Sequence, residues 1–177
     1  MNLHHLATEI HRQNVDAGWW NDWFDKAERY ETAMCLVVTE LAEAAEGSRR
    51  NLMDDHLPHH KMVHVEIADA AIRLLDLAGA YHVMLAGQRF DEQVEGSLDV
   101  LKQAPNDLAA IYCVMQSAAI ITDRRVSVIR VSLAAVVAFS KLKDFDLWSI
   151  VEEKRAYNRT RADHKPIARA GEHGKRF

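Results

Sequence analysis

The sequence predicts an all-α protein, and two observations carry that prediction. Glycine and proline are scarce, seven and three among 177 residues, while alanine, leucine and glutamate recur throughout. Apolar residues also return at helical spacing: Leu3, Leu6 and Ile10 near the start, then Ile67, Ala70, Ala71, Leu74, Leu75 and Ala78 further on. A hydrophobic content of 49% and a charged content of 27% are ordinary for a soluble globular chain. The length suits one domain with a sizeable core, set at residues 1–165, followed by a basic tail over 166–177 that is expected to be flexible.

Residues 3–17 read as an amphipathic helix with Leu3, Leu6, Ile10 and Val15 inward, stopped by Gly18. Trp19, Trp20, Trp23 and Phe24 follow as an aromatic segment that caps the core. A second helix is expected over 31–47, ending at Gly47-Ser48. A polar loop then runs to Pro58, with His56, His59 and His60 in and beside it. These histidines match no zinc spacing, and no cysteine joins them; the loop is expected to be mobile. A long helix occupies 61–86, and residues 87–90 are a break. Helices over 91–102, 107–122 (capped by Asn106) and 126–143 come next. The last two are apolar over so much of their surface that one must be central or meet another subunit. Asp144 or Asp146 caps a final helix.

Cys35 and Cys113 each fall in an apolar helical pattern and read as small core residues of a reducing, cytoplasmic protein. The N-terminus is polar and histidine-rich, unlike a signal peptide, and the apolar run 126–139 is too short to span a bilayer and holds Arg130; no membrane partner is expected. The formal charge of −4 is uneven: residues 154–177 carry eight Lys/Arg against two acids. A basic tail beside an acidic bundle suits a polyphosphate.

The chemistry concentrates in residues 39–77. Glu40/Glu43 and Glu66/Asp69 are two carboxylate pairs, each spaced i, i+3, so each pair shares one helix face. Glu66, Asp69, Arg73 and Asp76 form one polar stripe between apolar neighbours. A buried carboxylate row needs a cation or a base beside it. Packed together, the two helices converge four carboxylates. An all-oxygen set favours magnesium or manganese over zinc or copper. A di-iron bundle is disfavoured, because no Glu-x-x-His occurs at Glu40 or Glu66. Glu46 extends the first row toward an outer-shell role, and Arg49 is a candidate phosphate contact. Arg73 is read as pairing with Asp76, or else as reaching Asp69 or a substrate phosphate.

ExxE, a loop, then ExxD followed by IRLLDLAG resembles the MazG-like, all-α nucleoside triphosphate pyrophosphohydrolases, which include the dimeric dUTPases. Gly18-Trp19-Trp20 and the terminal KRAYNRTRADHKP…HGKRF are similar to further parts of that family. The resemblance implies a MazG-like bundle with a four-helix core. It implies Mg²⁺, with Mn²⁺ as substitute, held by Glu40, Glu43, Glu66 and Asp69. It implies hydrolysis of a (d)NTP to (d)NMP and pyrophosphate by metal-activated water attack at the α phosphorus, with Glu40 and Glu43 as catalytic residues and Glu40 positioning the water. Lys154, Asn158 and Arg161, at i, i+4, i+7 on the last helix, would hold phosphate and sugar. Trp20 would line the base or sugar pocket, Arg73 would reach phosphate, and Lys175 would close over the nucleotide. A homodimer or homotetramer is expected, and nucleic acid is not expected as a partner. This chain departs from compact members by roughly two extra helices between the ExxD helix and the C-terminal helix, near the layout of the larger dimeric enzymes. The rival reading is a non-catalytic helical module that binds nucleic acid or protein through its basic tail.

Overall fold

The computed structural model describes residues 2–21, 26–120 and 123–161. Trp23, Phe24, Ile121, Lys175 and the basic tail therefore lie outside the described residues. Among those described, the chain forms seven α-helices and no strand: α1 (Leu3–Asp16), α2 (Lys26–Arg50), α3 (Met62–Ala80), α4 (Gln88–Leu101), α5 (Asp107–Ala118), α6 (Arg125–Lys143) and α7 (Leu147–Thr160). No helix here is long and apolar enough to cross a membrane.

α3 organises the bundle, packing against α1, α2, α6 and α7. Its sequence explains why: from Val63 to Ala78 most positions are buried, with Ile67, Ala68, Ala70, Ala71, Leu74 and Leu75 fully inside. The small residues let neighbouring helices approach closely. α6 is the second buried helix and lies against α3, α4 and α5. Much of its apolar surface packs within the chain: Ile129, Leu133, Ala134, Val136 and Phe139 have no exposure, whereas Val126 is 41% exposed. Three helices, α4 to α6, separate the ExxD helix from α7, in the places where the sequence puts helices over 91–102, 107–122 and 126–143.

Helix ends follow side-chain chemistry where polar caps are present. Asn106 Oδ1 accepts from the backbone N–H of Ala109 at 3.0 Å and starts α5. Asn106→Ala is expected to cost about 1 kcal/mol, read as a lower midpoint in chemical denaturation with unchanged slope. Asp146, not Asp144, caps α7, accepting from Trp148 and Ser149 at 3.1 Å each. Asp144 instead closes α6 in the left-handed region. After α1, Gly18 takes φ 78°. Gly18 N–H donates to Val15 and Trp19 N–H to Asn14, both at 2.9 Å, which is a Schellman closure.

Several boundaries differ from the sequence expectation. α2 does not stop at Gly47 but runs to Arg50. Gly47 serves packing there: a Cβ would stand 2.9 Å from Met62 Cβ. α3 ends at Ala80 rather than near residue 86, because His82 takes φ 52° and turns the chain. α4 begins at Gln88, inside the expected break, and α5 ends at Ala118. Val15 is 40% exposed instead of inward, since Leu6, Ala7 and Ile10 define the buried face of α1. Cys35 is exposed, not in the core, because the inward face of α2 runs through Met34, Val37, Leu41 and Ala44.

Candidate metal and phosphate site

α2 and α3 pack side by side, and the phase of their apolar positions decides what meets at the seam. Val37, Leu41 and Ala44 turn inward on α2; Ile67, Ala70 and Leu74 do so on α3. The acids between these rows line one cavity of about 520 Å³, where Glu40, Glu43, Glu66, Asp69 and Asp76 come together. Glu40, Glu43 and Glu66 offer oxygens that all lie within 4.8 Å of one another. Glu40 and Glu66 are buried and Glu43 is exposed, so the cluster has a closed floor and an open side.

The electrostatics are those of a cluster short of positive charge. Burial pushes the Glu66 carboxyl up to about 9, and the charges of Asp69 and Glu40 push in the same direction. Asp69 is raised to about 6, chiefly by burial and despite the opposing pull of Lys154. Two internal cations offset part of the repulsion. Lys154, only 3% exposed, places Nζ 2.9 Å from Asp69 Oδ2. Burial pulls the Lys154 pKa down, but Asp69's charge and hydrogen bond outweigh it and leave the net shift upward. Arg73 sets both Nε and Nη2 2.6 Å from Glu40 Oε1.

That last contact corrects the expected Arg73–Asp76 pair. Asp76 is already taken: its Oδ1 lies 2.8 Å from His11 Nδ1 and accepts from Trp20 Nε1 at 3.2 Å. Trp20 thus donates to an acid at the cavity edge, and among the described residues the indole that lines the cavity is Trp19. Arg29 lies over the Trp20 ring, 4.6 Å from its centroid, and burial holds its pKa below the usual arginine range.

The opposite wall comes from α7. Lys154, Asn158 and Arg161 all line the cavity, as their shared helix face requires. Asn158 Oδ1 is buried with no hydrogen-bond partner among the described residues. The Arg161 guanidinium lies 6.0 Å from the centroid of the Tyr157 ring. Glu46 and Arg49 are not at the cavity. They pair with each other, Arg49 Nη2 to Glu46 Oε2 at 2.6 Å, on the exposed end of α2.

Among the lining residues that sequence reasoning did not assign to the site are Asn14, Trp19, Arg29 and His56. Asn14 and Trp19 arrive through the Schellman closure that joins them. His56 arrives through a loop that is tied down at several points. Asp54 Oδ1 accepts from the N–H groups of His56 and Leu57 at 2.9 and 2.7 Å, and the loop's two ends pair between Met53 and Lys61. Asp54, an acid able to bond the backbone two residues on, was the readable signal for that turn. Arg29 had no such signal.

The donor set fits a hard divalent cation: carboxylate oxygens only, converging, with a raised proton affinity at Glu66 and Asp69 that a cation would relieve. Comparison with known proteins finds no match: no protein-family model, no curated protein and no solved structure matches the chain.

Proposed function

We propose that this chain is a magnesium-dependent nucleoside triphosphate pyrophosphohydrolase, converting a (d)NTP and water to (d)NMP and pyrophosphate. The observation that carries the reading is one cavity with carboxylates on the α2–α3 side and Lys154, Asn158 and Arg161 on the α7 side. Its volume, about 520 Å³, lies in the range that small-ligand sites occupy.

Glu40, Glu43, Glu66 and Asp69 would hold the Mg²⁺, with Mn²⁺ as substitute. Bound there, the metal would supply Lewis-acid polarisation of phosphate oxygens and acidify a water. The protein's own groups divide the remaining work. Glu40, paired with Arg73 in the resting site, would position the water that attacks the α phosphorus. Lys154 and Arg73 are neutralised inside the resting site by Asp69 and Glu40. Their transfer from carboxylate to phosphate keeps charge balanced as an anionic substrate enters, and it aims cations at the leaving pyrophosphate. Asn158, which lines the same cavity, would hydrogen-bond sugar or phosphate. Asp76, fixed by His11 and Trp20, closes the far edge. Lys175 remains a candidate closing residue, and a homodimer or homotetramer the expected assembly.

A nucleotide panel with Mg²⁺, its products resolved by chromatography, tests this directly, with Glu43→Ala as control. Monophosphate plus pyrophosphate, lost in the variant, is the expected result and names the substrate. Diphosphate plus phosphate would keep a metal hydrolase and discard α–β cleavage. No turnover, and no rise in melting temperature with Mg²⁺ or Mn²⁺, would favour the binding module that uses the basic tail.

A further inference from the structure

Away from the carboxylate cavity, a second group of potential ligands has formed between the α2–α3 loop and α7. His59 Nε2 lies 2.7 Å from Glu153 Oε2. His60 Nε2 lies 3.3 Å from both Glu153 oxygens. One ligand atom from each of the three residues falls within 4.8 Å of the others. The two histidines are adjacent in sequence, whereas Glu153 lies 93 positions beyond His60. No spacing motif could therefore announce the set.

We infer that His59, His60 and Glu153 form a transition-metal site of the zinc class, distinct from the oxygen-only site in the cavity. Donor chemistry separates the two: two imidazole nitrogens and one carboxylate oxygen suit Zn²⁺ or Co²⁺, whereas Mg²⁺ prefers oxygen alone. Spacing agrees as well. Ligand bonds of about 2.0–2.1 Å in a tetrahedron put neighbouring donors about 3.3 Å apart, which the His60–Glu153 pair already shows, while the His59–Glu153 pair at 2.7 Å would open by about 0.6 Å to admit the ion. Three protein ligands leave a fourth position, and the exposure of His59 and Glu153 opens it to solvent.

The loop side is built before any metal arrives. His60 N–H donates to Leu57 C=O at 2.8 Å, and Asp54 N–H donates to His60 C=O at 3.0 Å. With the Asp54 side-chain bonds to His56 and Leu57, four hydrogen bonds tie the loop that carries both imidazoles. Glu153 is carried by a helix. A metal here would staple the loop to α7. It would do so one residue from Lys154 and on the loop that brings His56 to the cavity wall. The site thus sets the distance between two walls of the cavity without touching its carboxylates.

Zinc chloride, and separately cobalt chloride, titrated into the full chain with excess Mg²⁺ tests the inference. The expected result is one Zn²⁺ per chain, with cobalt giving the visible absorption of a low-coordinate, nitrogen-containing site. Affinity should fall at least about 100-fold in Glu153→Gln and in His59→Asn and stay unchanged in Glu43→Ala. Both substituted side chains are partly exposed, so both variants should keep the parent's helical circular dichroism. Equal zinc affinity in parent and Glu153→Gln would overturn the site. So would loss in Glu43→Ala alone, or binding by the parent only at millimolar zinc.

Discussion

Glu66→Gln is expected to lower magnesium-dependent turnover by about 10³-fold, the scale of losing one preorganised charged group, while leaving the metal-free protein at pH 8 at least as stable as the parent. The two halves have one cause. Glu66 is buried among Asp69, Glu40 and Glu43, and its carboxyl titrates near 9 in the folded chain against an ordinary 4.5. The folded state therefore binds a proton that the unfolded state has released over that interval. Stability without metal must then fall as pH rises from about 4.5 toward 9. Asp69, raised from 3.8 to about 6, adds a smaller fall at lower pH. Glutamine keeps the shape and removes the titration, so the melting temperature of the variant in EDTA should be nearly flat from pH 6.5 to 9 where the parent's declines. Magnesium should reverse the order. A cation competes with that proton, so the parent's thermal gain from Mg²⁺ should grow over the same pH range, while the variant gains little. A parent curve flat in EDTA, or equal Mg²⁺ gains in both proteins, would remove Glu66 from the cation site. A turnover loss without those thermal effects would assign it to another step.

The carboxylate seam was legible because it depends on periodicity alone. Glu40 and Glu43 on one helix, Glu66 and Asp69 on the next, sit at spacings that any straight helix brings to one face, and their apolar neighbours say which face turns inward. The same holds for Lys154, Asn158 and Arg161. Partnerships across helices were not legible. Local spacing favoured Arg73 with Asp76, but the guanidinium crosses to Glu40, 33 positions away, because His11 and Trp20 already occupy Asp76. Nor could propensity tell that Gly47 continues α2. A glycine near a polar run reads as a stop, and only the approach of Met62 shows that the missing side chain is the point. The zinc-class cluster fails for the same reason, since its carboxylate lies 93 residues from the nearer histidine. What escaped, in each case, was the identity of a distant neighbour.

Gly79 puts that kind of neighbour to the test. α1 crosses α3 so closely there that a Cβ on Gly79 would stand 2.5 Å from the Ala7 carbonyl oxygen and 2.6 Å from His11 Cβ. Neither obstacle is the free end of a long side chain. The Ala7 carbonyl is α1 backbone, so the clash is relieved only by moving the whole helix. Ala7, Leu6 and Ile10 are buried beneath it, and their packing would be lost in part. Gly79→Ala should destabilise the protein by about 3 kcal/mol, the upper end for overpacking, equivalent to a fall in melting temperature of roughly 6–12 °C for a chain of this size. The displacement also pulls His11 from Asp76 and shifts Asn14 at the cavity edge, so KM for nucleotide should rise more than kcat falls. Gly96 supplies the control. It sits inside α4 with nothing within 4 Å of its would-be Cβ, so Gly96→Ala should stabilise by roughly 0.5–1 kcal/mol through helix propensity. Opposite signs at two helical glycines would show that the α1–α3 crossing depends on Gly79 as a contact point. A Gly79→Ala protein as stable as the parent would mean that α1 does not lie this close to α3, and the His11–Asp76–Trp20 edge of the cavity would have to be redrawn.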